Sequence, residues 1–308
     1  MAERRIVSPM HRAATTRADG DVDRDAVHRL LSAATAADGV FPLSDHLRLE
    51  LEHGGRPGFA AITIGSPLAG YAQLAAINDI RTVELVVDPD HRDDPTLTTV
   101  LLTAARDIVA GDGGGHLQWW AFDADPSDDE AARASGLMPS RTLHQMRRPL
   151  PTGLPVEVAT RPFEPGRDEE SWLAVNNRAF AGHPDQGGWT VDTLRQRQRE
   201  PWFDPAGFLL HERDGRLAAF CWTKVHAEPA LGEIYVIAVD PDFHGLGLGT
   251  QLTLAGLASL AERGIDVGML YVDAANHVAV AMYERLGFSV HRTDRAYAAD
   301  VPPREDGA

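Results

Sequence analysis

Residues 239–249 read Val-Asp-Pro-Asp-Phe-His-Gly-Leu-Gly-Leu-Gly and directly follow the β-branched run 233–239. This is the pattern of a strand that ends in a glycine loop and opens a helix. Gly245, Gly247 and Gly249 carry no side chain, so a ligand can approach the main chain closely. The loop amides and those of the first helical turn then point outward, at the positive end of a helix dipole. Such a place binds phosphate. The spacing by twos fits neither a Gly-x-Gly-x-x-Gly frame nor a loop closed by Gly-Lys-Ser/Thr, so the nucleotide-binding loops of those types are the weaker alternatives. Thiol and metal chemistry find less support. The single cysteine, Cys221, lies between Phe220 and Trp222, where a buried, inert thiol is expected. His183 and His226 lack metal-ligand spacing and read as structural, so no metal site is expected.

The whole chain constrains the ligand further. Its 308 residues carry a formal net charge of −16, which argues against nucleic acid or an anionic membrane as partner. An acidic protein that binds an anion needs local help from oriented amides. Hydrophobic residues make up 44% and charged residues 24%, as in globular proteins. No run approaches the ~20 apolar residues of a membrane span. No signal-peptide pattern follows Arg4 and Arg5. A cytoplasmic monomer acting on small molecules is expected.

The elements that must position the loop can be read from patterning. Residues 208–212 and 217–225 form a hairpin around Asp214-Gly215. Strands are expected at 157–160, 233–239, 267–272, 289–291 and 295–298. Helical spacing covers 171–180 and 250–263. Asn276 caps a helix with Val278, Met282 and Leu286 on one line, ending at Gly287. Helices alternate with strands and hairpins are present, which predicts an α/β fold with a mixed sheet.

The chain also echoes itself. Residues 87–92 (VDPDHR) match 239–244 (VDPDFH). Each follows a β-branched run and precedes an Ala/Leu-rich helix, and each half later has a helix closing on glycine. A Pro/Gly-rich joint at 150–155 divides residues 1–149 from 156–308. The copies differ where chemistry would sit. The first has Asp93-Asp94-Pro95 in place of the glycines, Arg81 opposite Glu233 and Ala132 opposite Tyr283.

The strand, glycine loop, helix, strand and Asn-helix-Tyr-x-x-Leu-Gly-Phe segment resemble the GCN5-related N-acetyltransferases (GNAT). Residues 180–189 (FAGHPDQGGW), 202–205 (WFDP), 222–226 (WTKVH), 231–235 (LGEIY) and 145–150 (QMRRPL) are similar, more narrowly, to the tandem acetyltransferases of mycothiol biosynthesis in actinobacteria. The resemblance implies two tandem GNAT-like domains, each a mixed, mostly antiparallel twisted sheet flanked by helices. It implies acetyl-CoA as co-substrate and desacetylmycothiol, through its cysteinyl amine, as acceptor. An aminoglycoside, a polyamine or another amine is the alternative acceptor, and a non-catalytic acyl-CoA-binding module the alternative class.

By the same resemblance, Glu233 is the base that takes the amine proton. Tyr283 is the acid that protonates the leaving thiolate. The backbone of Ile237, Ala238 and Val239 pairs with the pantetheine arm. His244, Gly245, Leu246, Gly247, Leu248, Gly249 and Thr250 hold the pyrophosphate, with His244 where relatives have Arg or Gln. Asn276, His277, Val278, Ala279, Val280 and Ala281 complete the cofactor cleft. Asp45, Asp185, Lys224, Glu233 and Tyr271 hold the acceptor, with Asp45 where relatives have Glu. Relatives of this kind can hold a second acetyl-CoA in the first domain, along Leu85, Val86 and Val87. The acidic loop here argues against it, and a non-catalytic first domain is expected.

Overall fold

The computed structural model describes residues 14–17, 22–39, 41–53, 58–77, 80–182, 186–227 and 229–304. Backbone contacts divide the chain into two units: residues 1–142 with 293–308, and residues 143–292.

The first unit contains β1 (Ala14–Arg17), α1 (Arg24–Asp38), α2 (Asp45–His53), β2 (Ala60–Ile64), β3 (Gly70–Ile77), β4 (Ile80–Val87), α3 (Thr96–Gly111), β5 (Gly115–Ala121), α4 (Pro126–Ala134) and the start of β6 (Met138–Pro149). Antiparallel pairs join β1 to β2, β2 to β3 and β3 to β4, and β4 pairs parallel with β5. Both faces of this sheet are covered, as alternation along the strands requires. Ile62, Leu74 and Val83 pack against Leu97, Leu101 and Ala105 of α3. Ala61, Tyr71 and Val86 pack against Val27, Leu31 and Leu47 of α1 and α2.

The second unit contains the rest of β6, β7 (Arg161–Pro162), α5 (Glu169–Ala179), α6 (Val191–Gln198), β8 (Phe208–Arg213), β9 (Arg216–His226), β10 (Leu231–Val239), α7 (Leu248–Glu262), β11 (Val267–Asp273), α8 (His277–Arg285) and the start of β12 (Ser289–Val301). Antiparallel pairs again join β7 to β8, β8 to β9 and β9 to β10, and β10 pairs parallel with β11. One face packs on α7 and α8 through Cys221, Ile234, Leu252, Leu257, Leu270 and Tyr283. The other packs on α5 and α6 through Trp172, Leu194, Phe208, Phe220 and Trp222. The Phe208 and Trp222 rings stack with centroids 4.3 Å apart. Helix α7 lies so close to the sheet that a Cβ on Gly256 would come within 2.5 Å of Cys221 Sγ; only glycine fits there.

The repeat seen in the sequence is therefore a repeat of pairing sense: antiparallel three times, then parallel. Each unit closes with an antiparallel strand that is distant in sequence from the strand it pairs with. In the first unit this is β12, with Tyr297 opposite Trp119. In the second it is β6, with Gln145 opposite Tyr271. This arrangement corrects the boundary expected at 150–155, because residues 143–149 belong with the second unit and 293–308 with the first. Two smaller corrections follow. The strands expected at 289–291 and 295–298 are one continuous strand, β12. No strand forms at 157–160; its place is taken by the short β7, where Arg161 pairs with Leu210. The hairpin turn is as expected, with positive φ at Asp214 (53°) and Gly215 (74°). Among the described residues no helix is long and apolar enough to cross a membrane.

Candidate active site

The parallel pairing of β10 with β11 runs only from Gly232–Gly268 to Ile234–Leu270. Beyond it β10 continues to Val239, held on its other side by β9. The register with β9 shifts between Ile234 and Val236, which makes Tyr235 the extra residue of a β-bulge. A bulge bends the strand and strengthens its twist. The stretch Ile237, Ala238 and Val239 thus lies past the pairing with β11, where an extended arm can add along the strand by main-chain hydrogen bonds.

The strand leads into the glycine loop through Asp240, whose carboxylate accepts from the amide of Asp242 at 2.9 Å. Gly245 (φ 78°) and Gly247 (φ 74°) are left-handed, which explains glycine there without a ligand. Gly249 is different. Its φ is not positive, and a Cβ would meet nothing nearer than Met282 Sδ at 3.7 Å. The fold would accept a side chain at 249, so the bare backbone leaves room over the amides. Helix α7 has no side-chain N-cap. Its first backbone bond beyond the loop is from Gln251 N to Gly247 O at 3.2 Å. The amides of Leu248, Gly249 and Thr250 precede it and point at the loop without an acceptor among the described residues. Unsatisfied N-terminal amides of a helix are an anion site. His244 is exposed, and its Nε2 lies 3.1 Å from the Val239 carbonyl. That nitrogen is used to close the loop, so an anion would be held by main chain rather than by the imidazole.

The matching place in the first unit is filled by the protein itself. Asp94 Oδ1 accepts from Thr96 N at 3.0 Å, and Leu97 N donates to Asp94 O at 3.4 Å. Pro95 has no amide to offer. The β3–β4 ladder runs from Gly70–Val87 to Ile77–Ile80 with no register shift. Arg81 is engaged by Asp112 and the Gly58 carbonyl, both at 3.0 Å. Leu85, Val86 and Val87 lie past the parallel pairing with β5, which ends at Val83–Trp119.

Asn276 caps α8 through Ala279 N at 3.1 Å. His277 and Val278 are exposed, Val278 at 83%, while Ala279, Val280 and Ala281 are partly covered. One turn further on, Tyr283 is 7% exposed and packs edge-on to Phe288. Burial, and then the neighbouring Cys221, push its phenol well above the ordinary range. It is thus a proton donor that stays protonated at any ordinary pH. Its hydroxyl takes no hydrogen bond from the described residues. Cys221 is fully buried, and burial pushes its thiol up to about 12, which leaves it inert as expected.

Glu233 lies on the face of β10 opposite Ile234. Across the strands it forms a row with Lys224 on β9, Met269 on β11 and Arg147 on β6. At about 4.8 Å per strand, Arg147 stands about 10 Å from Glu233 along the row. The Lys224 ammonium sits over the Trp202 and Tyr235 rings, 5.0 and 5.8 Å from their centroids. Tyr271 shares this face. Its hydroxyl accepts from Gln145 Nε2 at 2.7 Å and Arg292 Nη2 at 3.1 Å. Arg147 Nε in turn donates to Gln145 Oε1 at 2.8 Å. Burial and the nearby Arg292 lower the Arg147 pKa, though a guanidinium stays charged.

Glu233, Lys224 and Tyr271 therefore share one sheet face, and the glycine loop adjoins the end of β10. Asp45 begins α2 in the first unit, with its side chain outside the description, and Asp185 lies outside the described residues. Sequence reasoning read His226 as structural and did not pair it with Glu233, whose Oε2 lies 2.7 Å from the imidazole Nε2. It also missed Gln145, Arg147 and Arg292. The only signal for His226 was its two-residue offset from Lys224. Gln145 and Arg147 carried the same signal, falling within a stretch quoted only for likeness. Among the described residues no cluster of His, Cys, Asp or Glu could hold a metal ion.

A strand with a bulge, a glycine loop opening a helix, and a phenol on the following helix define an acetyl-CoA-dependent N-acetyltransferase of the GNAT class. Residues 170–288 match the profile of the Acetyltransferase (GNAT) family. The chain is 48% identical to a mycothiol acetyltransferase of Thermobispora bispora, over 89% of this chain and 95% of the relative. It is 45% identical to that of Streptomyces coelicolor, over 90% and 92%. By these likenesses the chain belongs to the mycothiol acetyltransferase family. The fold is shared with a GCN5-related N-acetyltransferase from Sphaerobacter thermophilus (TM-score 0.72, 22% identity, 96% of this chain and 98% of that one). It is also shared with a tandem GNAT protein from the clavulanic acid pathway (TM-score 0.69, 17% identity, 95% and 99%).

Proposed function

We propose that the chain transfers acetyl from acetyl-CoA to the cysteinyl amine of desacetylmycothiol, the last step of mycothiol formation. The observation that carries the chemistry is the run of unengaged amides at Leu248, Gly249 and Thr250, next to a strand bearing a buried carboxylate. The acceptor rests on the relatives' shared name.

Acetyl-CoA, when bound, supplies the acetyl thioester. The residues here do the rest. The loop amides hold the pyrophosphate, and the edge of β10 at Ile237–Val239 aligns the pantetheine arm, while residues 276–281 close the cleft. Alignment of this kind supplies much of the rate for an already activated ester. Glu233 first pairs with the cationic amine and then takes one of its protons. The freed amine adds to the thioester carbonyl to form the C–N bond. Tyr283 gives its proton to the sulfur as the C–S bond breaks, and the second proton leaving the nitrogen restores the phenol. Lys224 and Tyr271, which share the sheet face of Glu233, hold the hydroxyl-rich part of the acceptor. No metal takes part. The protein acts as a cytoplasmic monomer, to which a single buried cysteine is suited.

The first unit does no acetyl transfer. Asp94 occupies the amides that would hold phosphate, and Arg81 replaces the base. Calorimetric titration with acetyl-CoA is expected to give one site per chain; two comparable sites contradict this.

The acceptor is tested by thiol release from acetyl-CoA with cysteinyl-glucosaminyl-inositol, set against an aminoglycoside and a polyamine. The expected result is turnover with the first alone. Faster turnover with another amine replaces the acceptor. Binding of acetyl-CoA without thiol release from any amine makes the protein an acyl-CoA-binding module.

A further inference from the structure

Antiparallel pairing sets Leu231 opposite His226 and Glu233 opposite Lys224. His226 is thus the diagonal neighbour of Glu233 on the same face, within reach of a long side chain. The two meet: His226 Nε2 lies 2.7 Å from Glu233 Oε2, with the imidazole 29% and the carboxylate 10% exposed. An ionised carboxylate only accepts, so the proton of this bond sits on Nε2 whether the ring is neutral or charged. Bonds of this length to an ionised group are about twice as strong as neutral ones.

We infer that His226 is a positioning residue for acetyl transfer: it engages Oε2 and turns Oε1 of Glu233 toward the acceptor as the oxygen that takes the amine proton. The inference rests on the reading of Glu233 as base. Oε1 has no hydrogen bond from the described residues, whereas Oε2 is committed to the imidazole. A glutamate has several rotatable bonds, and ordering a long side chain costs up to ~2 kcal/mol of rotamer entropy. The imidazole, itself carried by a paired strand, removes that freedom before the acceptor arrives. Lys224, directly across from Glu233, is directed over the Trp202 and Tyr235 rings, so the donor on Oε2 is the histidine.

The test uses the full chain with acetyl-CoA and cysteinyl-glucosaminyl-inositol. His226→Gln puts an amide nitrogen where Nε2 stands. His226→Phe and His226→Met fill the space without a donor, and whichever binds acetyl-CoA normally by calorimetry serves for comparison. A positioned base is worth ~10²–10⁴-fold, so the donor-less variant is expected to lose on the order of tenfold in kcat, and the Gln variant to regain most of it. Wild-type kcat in the donor-less variant, or a Gln variant as slow as it, overturns the inference. Glu233→Gln separates this from failure of the underlying reading. If Glu233→Gln is slow while the donor-less variant is fast, only the role of His226 falls. If Glu233→Gln itself turns over as the wild type does, the base assignment falls and His226 with it.

Discussion

Gln145 Nε2 donates to the Tyr271 hydroxyl at 2.7 Å across the β6–β11 ladder. The bond has a direction because Arg147 Nε donates to Gln145 Oε1, which fixes the amide with its nitrogen toward the phenol. Tyr271 is 39% exposed, so its ring is held at the surface by a buried amide (Gln145 is 3% exposed). Gln145→Leu removes that hold and leaves Arg292 as the other donor. A hydrogen bond of this kind is worth about 1 kcal/mol, roughly fivefold in an equilibrium constant. The acceptor KM is expected to rise by about that factor, with kcat and acetyl-CoA affinity near wild type. An unchanged acceptor KM would detach Tyr271 from the acceptor.

Tyr283→Phe is expected to lower kcat on the order of 10²-fold, the low end for a positioned acid, with little change in acetyl-CoA affinity. Burial sets the pH dependence. The phenol stays protonated well past its ordinary pKa near 10, so wild-type kcat should show no alkaline limb from this group through pH 10. A limb at pH 10 that vanishes in the Phe variant would show the ring to be solvated, against the packing described. Unchanged kcat in Tyr283→Phe would end the acid assignment.

Glu84 in the first unit is 2% exposed, and its Oε2 accepts from Ser44 N at 2.6 Å. Burial raises its pKa from 4.5 to about 7, with the Ser44 bonds opposing. The folded state therefore holds a proton that the unfolded chain releases. The stabilisation is full below pH 4.5 and is lost as pH rises through about 7. A shift of this size is worth ~3 kcal/mol. Glu84→Gln keeps an acceptor for Ser44 without the charge. Its Tm is expected to exceed wild type by several degrees at pH 8 and to match it at pH 4.5. Equal Tm at pH 8 would mean that Glu84 is solvated.

What could be read without coordinates was local. Asn276 as a cap, Asp214-Gly215 as a turn and the glycines before α7 each depend on a few consecutive residues, and each is where the spacing put it. The mixed sheet followed from alternating elements. The exchange of closing strands did not, because Tyr297 finds Trp119 and Gln145 finds Tyr271 across more than a hundred residues, and no short pattern encodes such a partner. The bulge at Tyr235 was hidden for the same reason: an extra residue exists only relative to the opposite strand. His226 reads as an ordinary strand residue until the register of β9 on β10 brings it to Glu233. Position 244 was legible in type but not in role, since the imidazole closes onto the Val239 carbonyl.

The glycine loop separates fold from binding in a way that two single substitutions can expose. Gly247 caps α7 at φ 74°, where a Cβ costs roughly 1–2 kcal/mol. Gly247→Ala should lower Tm and weaken acetyl-CoA binding together. Gly249 has ordinary φ, and its nearest would-be contact is 3.7 Å away, so Gly249→Ala should leave Tm unchanged or slightly raised, as Ala suits a helix better. The new methyl would stand over the amides of the first turn, just where a phosphate oxygen must come within hydrogen-bond distance. Losing one or two charge-assisted bonds, at ~1.5–3 kcal/mol each, predicts at least a tenfold rise in the acetyl-CoA dissociation constant, read by calorimetry. If Gly249→Ala binds acetyl-CoA as tightly as wild type, the amides of Leu248, Gly249 and Thr250 do not hold the pyrophosphate, and the cofactor must lie elsewhere on the unit.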